Sequence, residues 1–478
     1  MSNKVRVRLA PSPTGYLHLG TLRVALYNYA FAKKNNGSFI LRIEDTDQNR
    51  LIEDAVENII STLNTIGVDF DEGPNKGGAY GPYVQSERLD IYKKYIDKLL
   101  EKGLAYHCFC DKETLDEMRA AQIERKEDPK YDRRCLNLSK KEVQARIDRG
   151  DSYVIRLKMP DDRVFSFDDA IRGLVEINSS QVDDQVILKS DGFPTYHLAA
   201  CVDDHLMEIT HVFRGEEWIS STPKHIWLYE CLGWQPPKFV HLPLIMNTDH
   251  SKLSKRKNDV SVENYLQKGY PVPAIINYIA LIGWHTPDDR EFFTLDELCQ
   301  EFSLERVSKA NGVFDIVKLN WMSGMYIREM SNEDLAEKCR PYLEKAGYDV
   351  SDQRKLIAVM DNAKDRIHCY SEVIEHSKMF YEDLNISEED QNILAEEDSQ
   401  TVLKYFIENV DEVPWDNAEE LGIFIKAGSK AIGIKGKKYF FPLRISLFGA
   451  SHGPDIPKLF AILGKDETIA RMEKQIRK

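Results

Sequence analysis

The sequence has no long apolar run. The longest, Ala274 to Trp284, is about half of the ~20 residues that a membrane span needs, and Asn277 interrupts it. The start, Met-Ser-Asn-Lys-Val-Arg-Val-Arg, lacks the uninterrupted apolar core of a secretion signal. Cysteine is sparse, eight in 478 residues. Without a secretory context these read as reduced thiols in a cytosol, not as a disulfide scaffold. There is no internal repeat and no low-complexity tract. Positive charge is in deficit, with 64 Lys+Arg against 78 Asp+Glu and a net of −14. The 42% hydrophobic content is ample for packed cores and excludes global disorder. The expectation is a soluble intracellular chain of roughly three or four domains at ~100–200 residues each.

An acidic total argues against a nucleic-acid partner only if the charge is evenly spread, and it is not. Residues 381–420 hold fourteen Asp or Glu and one basic residue, Lys404, a net of −13. Residues 426–478 hold twelve Lys or Arg against four acidic residues, a net of +8. Phosphate contacts depend on local potential, so a basic C-terminal module can bind a polyanion on an acidic protein. Charge by itself favours a solvated helical surface over a polyanion site.

Val5, Val7 and Leu9 alternate with polar residues as in a strand, and a loop with Pro11, Pro13 and Gly15 follows. From Gly20, Leu22, Leu26, Tyr29 and Ala30 recur at helical spacing up to Lys34. Asn35-Asn36-Gly37 then marks a turn, and Ser38–Ile43 a second strand. Strand, loop, helix, strand is the opening of a doubly wound α/β domain. Ligands in such folds bind beyond the carboxyl ends of the strands, where residues 10–21 and 44–50 fall. Charged helices (Asp111–Lys126, Ser139–Arg149) and alternating strands near Val154–Lys158 suggest an α+β insertion. Strand signals resume at Val186–Lys189, Glu208–Phe213 and Phe239–Ile245. After about residue 260 helical periodicity dominates, with caps such as Ser331-Asn-Glu-Asp before Leu335.

The strongest local signal is Arg8-Leu-Ala-Pro-Ser-Pro-Thr-Gly-Tyr-Leu-His-Leu-Gly-Thr21. It places His18 and Gly20 at a helix entry, where unpaired N–H groups and partial positive charge suit a phosphate chain. Gly20 lets that backbone come close to a nucleotide. A capping His in a proline-stiffened loop is the bland alternative. The second signal is Lys252-Leu-Ser-Lys-Arg-Lys257, a basic loop that is weak alone. Together, His-x-Gly-Thr after the first strand and Lys-x-Ser-Lys about 230 residues later resemble the two signatures of class I aminoacyl-tRNA synthetases. Arg42–Asp47, Gly81–Arg88, Asp191–Leu198, Val202–His205, Arg214–Trp218 and Phe314–Met322 extend the likeness to the bacterial glutamyl-tRNA synthetases, over essentially the whole chain.

That resemblance implies a Rossmann-like catalytic domain in two halves (1–110 and 186–255), with an acceptor-stem-binding insertion at 111–185. A helical stem-contact domain (256–330) and an all-helical anticodon-binding region (331–478) complete it. It implies activation of glutamate by ATP with Mg²⁺ to a glutamyl-adenylate, then transfer to tRNA-Glu, in a cytoplasmic monomer. His18, Gly20, Lys252 and Lys255 are the implied catalytic residues, acting by position and placed positive charge. Arg8, Ser12, Glu44, Tyr196 and Arg214 match the glutamate contacts, with Glu44 facing the α-ammonium and the arginine forks suiting carboxylates. Ser12, His18, Gly20, Thr21, Trp218 and Lys255 match the ATP site. Asp45, Asp47, Asp203, Asp204 and His205 read as caps and positioning groups more than as a metal shell. Cys108, Cys110 and Cys135 resemble a zinc site of some family members. The usual fourth position is Asn137, a poor ligand, and His107 or Tyr131 are the substitutes at hand. Arg366 aligns with a segment that reads the third anticodon base, and Gly433–Lys438 with tRNA backbone contacts. The alternatives are an enzyme that also glutamylates tRNA-Gln and a non-catalytic RNA-binding paralogue. The second would show damaged ATP loops, whereas His18, Gly20, Lys252 and Lys255 are intact.

Overall fold

A computed structural model of the chain describes residues 4–253, 260–415 and 417–476. They form two units: Met1–Asn264 with Ile275–Asp315, and Tyr265–Ala274 with Ile316–Lys478.

In the first unit, β1 (Arg6–Leu9) pairs in parallel with β2 (Ser38–Leu41) across the helix α1 (Leu19–Lys34). On its other side β1 adjoins the strand His211–Gly215, the Thr210 N–H donating to the Arg6 carbonyl at 2.9 Å. That strand runs parallel to Lys238–Leu242, which meets Val164–Asp169, itself the first arm of a hairpin with Gly173–Asn178. Every residue of β1 and β2 is buried, as expected of central strands covered on both faces. Burying Arg6 and Arg8 there requires partners, and Glu72 and Asp204 supply them.

The insertion is α+β. Helices Lys112–Glu124 and Lys140–Asp148 begin at the capping side chains of Asp111 and Ser139, the latter in a reciprocal box with Glu142. They accompany an antiparallel sheet of Ala105–Cys108, Val154–Leu157 and Val186–Leu188. The strand expected at Glu208–Phe213 lies three residues later, at His211–Gly215. Glu208 has φ +54° and ends the turn that closes the helix Tyr196–Leu206, so pairing starts only beyond it.

The second unit is helical from Ile316–Glu329 to Ile456–Glu473, with no strand among its described residues. Ser331 caps the helix Asn332–Lys345, and Asp352 and Asn417 cap two later ones through backbone N–H groups. Its core is one apolar cluster that includes Leu335, Leu356, Leu403, Phe406, Leu443 and Leu459.

Candidate active site

One cavity of about 580 Å³ opens at the carboxyl ends of the parallel strands of the first unit. Arg8, Ser12, His18, Gly20, Thr21, Glu44, Tyr196, Arg214, Trp218 and Lys252 all line it, although up to 244 residues separate them in sequence. Lys255 lies outside the described residues.

The loop between β1 and α1 is held by its backbone. The N–H groups of Glu44 and Ile52 donate to the Pro11 and Pro13 carbonyls, both at 3.0 Å, where proline itself has no N–H to give. His18 is the N-cap of α1, with Nδ1 accepting from the Gly20 N–H at 3.0 Å. The capping role and the ligand-facing role therefore coexist, because accepting at Nδ1 leaves the proton on Nε2. Leu17 and Leu19 exchange backbone bonds with 260–262, the Leu19 N–H to the Val260 carbonyl and the Val262 N–H to the Leu17 carbonyl, each 2.9 Å. The first signature is thus tied to the segment that follows the second. Nothing in the fold demands glycine at position 20, since its φ is not left-handed and an added Cβ would touch only His18, at 3.4 Å. The space it leaves belongs to the cavity.

Under the cavity floor lies a buried charge network. Arg8 makes a fork to Asp204 at 3.0 and 3.3 Å. Arg42 donates to Asp204 at 2.8 Å and to Glu44 at 2.9 Å. Asp203 accepts from Arg88 at 2.8 Å, Gln85 at 2.9 Å and Tyr92 at 2.7 Å. Burial would push the Asp204 carboxyl up, but Arg8 and Arg42 outweigh it and hold it below the usual range. At Glu44 the balance reverses, and burial lifts its carboxyl above the usual value despite Arg42 and Arg8. Among the described residues, one Glu44 oxygen is engaged, by Arg42.

Arg214 is treated differently. Nε donates to His241 Nε2 at 2.9 Å, Nη1 to His225 Nδ1 at 2.8 Å and Nη2 to Thr222 Oγ1 at 2.8 Å. Among the described residues no carboxylate lies within ion-pair distance of it. Behind the histidines, His241 Nδ1 donates to Asp169 at 2.6 Å and His225 Nε2 meets His197 Nδ1 at 2.8 Å. Burial, reinforced by Arg214, holds His225 well below its ordinary value. Burial also lowers His241, even with Asp169 beside it. Tyr196 stands over Trp218 with ring centroids 4.3 Å apart, walling the same cavity.

Away from the cavity, the sulfurs of Cys108, Cys110 and Cys135 lie within 4.8 Å of one another. The Tyr131 hydroxyl completes the group, 3.2 Å from Cys108 Sγ and 3.5 Å from Cys110 Sγ. Tyr131 is buried beside the three sulfurs, whereas Asn137 is exposed. Hydrogen bonds from Cys135, then Tyr131 and Arg156, favour the Cys108 thiolate over its ordinary value. Arg366 is exposed in the turn after the helix Gln353–Ala363.

Sequence reading missed Asp169, Thr222, His225 and His241 around Arg214, and Arg88 behind Asp203. Arg42 and Arg88 do stand inside recognised motifs. The histidines carry no spacing signal, because His241 reaches Arg214 across the paired strands and His225 from the following helix.

A family described as "tRNA synthetases class I (E and Q), catalytic domain" matches residues 4–321, and "Anticodon binding domain" matches 334–476. The chain is 47% identical to the glutamate–tRNA ligase of Alkaliphilus metalliredigens, over 98% of each sequence. To the glutamate–tRNA ligase of Clostridioides difficile it is likewise 47% identical over 98% of each. A crystal structure of a glutamate tRNA ligase from Elizabethkingia meningosepticum in complex with its amino acid superposes with a TM-score of 0.90, at 38% identity and 99% of both chains.

Proposed function

The chain belongs to the glutamate–tRNA ligases of class I, and from that premise we propose that the cavity around Arg214 is where glutamate and ATP are joined. The enzyme ligates glutamate to tRNA in translation. The observation that carries the proposed site is a buried arginine with no carboxylate partner among the described residues, in the same cavity as a helix start capped by His18 and as Lys252.

In this reading Arg214 takes one glutamate carboxylate. Arg8, closed by Asp204, shapes the floor and adds field more than a free fork. The open oxygen of Glu44 accepts the α-ammonium, which restores the charge that burial disfavours. Tyr196 and Ser12 fix the side chain between them. The glutamate α-carboxylate attacks the α-phosphorus of ATP and pyrophosphate departs. The terminal ribose hydroxyl of tRNA then attacks the acyl carbon and releases AMP. Charge on the phosphate chain is met by the α1 N-terminus, by Nε2–H of His18 and by Lys252, with Lys255 as the further cation. Gly20 and Thr21 let the nucleotide lie close, and Trp218 lines its place. Mg²⁺ bound with ATP would neutralise phosphate charge, and would be held more by phosphate and water than by a protein cage.

The same reading assigns the five segments bounded at 110, 185, 255 and 330 to the catalytic halves, insertion, stem-contact and anticodon regions. Arg366 becomes an anticodon contact, and the chain a cytoplasmic monomer. Among the described residues no helix is long and apolar enough to cross a membrane. Cys108, Cys110 and Cys135, with Tyr131 beside them, would hold a zinc ion that braces the insertion. Zinc near one equivalent per chain after chelator-free purification checks that assignment.

Aminoacylation of tRNA-Glu and tRNA-Gln in parallel, each with glutamate and with glutamine, tests the function. Glutamate on tRNA-Glu alone is the expected result. Charging of both tRNAs would make the enzyme relaxed, and charging of neither by ATP-binding protein would overturn the reading.

A further inference from the structure

Two arginines line the cavity and the protein disposes of their charges in opposite ways. Arg8 is neutralised within its own network by Asp204. Arg214, also buried, is hydrogen-bonded by two imidazoles and a hydroxyl, acceptors that orient a guanidinium without cancelling it. The Tyr196 hydroxyl is a further hydrogen-bonding neighbour of the fork, and none of these acceptors carries a charge.

We propose that His225 and His241, with Asp169 behind the second, are positioning residues that keep Arg214 oriented and uncompensated, and that this sets the preference of the pocket for a side-chain carboxylate over a carboxamide. The inference rests on the reading of Arg214 as a glutamate contact.

The chemistry requires neutral histidines in one tautomer each. His241 can accept from Arg214 at Nε2 only if its proton is on Nδ1, and Asp169 at 2.6 Å takes that proton as a hydrogen bond. Asp169 is itself held in place by the backbone N–H groups of Ile171 and Arg172, at 3.0 and 2.9 Å. His225 accepts at Nδ1, so its Nε2–H must point at His197. Burial keeps both rings from protonating, which would set cation against cation. A carboxylate at either histidine position would pair with Arg214 as Asp204 pairs with Arg8, and would compete with the substrate for the same charge. A bound carboxamide gains little from an uncompensated cation, whereas a carboxylate gains most where water is excluded.

The test compares near-isosteric substitutions that differ in charge: His225→Gln against His225→Glu, and His241→Gln against His241→Glu. Each is assayed for kcat/KM with glutamate and with glutamine on tRNA-Glu. The glutamine variants should keep the preference for glutamate within about threefold, and the glutamate variants should lower it at least about tenfold, mainly through KM for glutamate. A merely structural role would affect both members of a pair alike, and equal preference within both pairs would overturn the proposal. The His241 pair decides the matter should the His225 variants be recovered unfolded. Arg214→Gln separates this inference from the reading beneath it. Loss of preference in Arg214→Gln with none in the glutamate variants sinks only the histidine role. An unchanged preference in Arg214→Gln sinks both.

Discussion

The interiors of the two units are built from different materials. Among the described residues, the α/β unit buries Arg6, Arg8, Arg23, Arg42, Glu44, Arg88, Asp169, Asp203, Asp204 and Arg214, among other charged side chains, whereas the helical unit buries one, Arg471. Buried charge is expensive unless paired, so hydrocarbon is the economical filling for a scaffold and charge marks where a polar substrate must be held. The helical unit keeps its other charged side chains outside a hydrophobic frame. The α/β unit instead holds paired charges in its core, where they are strongest and most exacting.

The largest effects should come from removing a member of each interior. Asp204→Asn leaves Arg8 and Arg42 short of a counter-charge, and should cost the α/β unit about 3–5 kcal/mol together with most glutamate activation. Urea unfolding reads the first and aminoacylation the second; a loss below 1 kcal/mol would show the network to be mostly hydrated. Phe406→Ala removes a ring whose centroid lies 5.5 Å from that of Phe460, and should cost a similar 3–5 kcal/mol by opening a cavity. Its preference for glutamate over glutamine should be unchanged, and a shifted preference would break the contrast between the two interiors.

Acid should separate the units more gently. Burial, with Lys224 and Arg214, pushes His197 down to about 3, and His225 and His241 are lowered as well. The unfolded chain takes up these protons near pH 6.5. The unfolded state therefore binds more protons, and the stability supplied by the neutral rings is complete above about pH 6.5 and is lost as pH falls toward 3. Asp204 adds a further loss below about pH 4, because its folded carboxyl is held under the ordinary value. The helical unit buries no histidine among its described residues. Amide exchange followed peptide by peptide between pH 7 and 4 should show protection falling earlier in the α/β unit, and parallel losses would count against this account.

The strand-loop-helix opening, the insertion with its capped helices and the helical C-terminal region were all legible in the chain. Local signals such as Pro11, Pro13, Ser139-x-x-Glu142 and Ser331 act within a few residues. The family's motifs also placed ten of the eleven expected substrate and catalytic residues on one cavity, with Lys255 outside the described residues. Position alone did not tell how each residue is used. The alternation in β1 marks a strand, yet only the assembled sheet shows both faces covered and its arginines neutralised by Glu72 and Asp204. Spacing from Cys135 left His107 and Tyr131 as alternatives to Asn137, and only the fold shows the Tyr131 hydroxyl 3.2 Å from Cys108 Sγ.

Sequence by itself determined the elements, their order and the chemical inventory of the site, because propensity, capping and motif spacing are short-range. Only the tertiary structure decided that Arg8 is closed by Asp204 while Arg214 faces the cavity on neutral histidines. The state of a buried charge depends on which groups reach it through space, and those partners lie 196 residues from Arg8 in one case and 11 and 27 from Arg214 in the other.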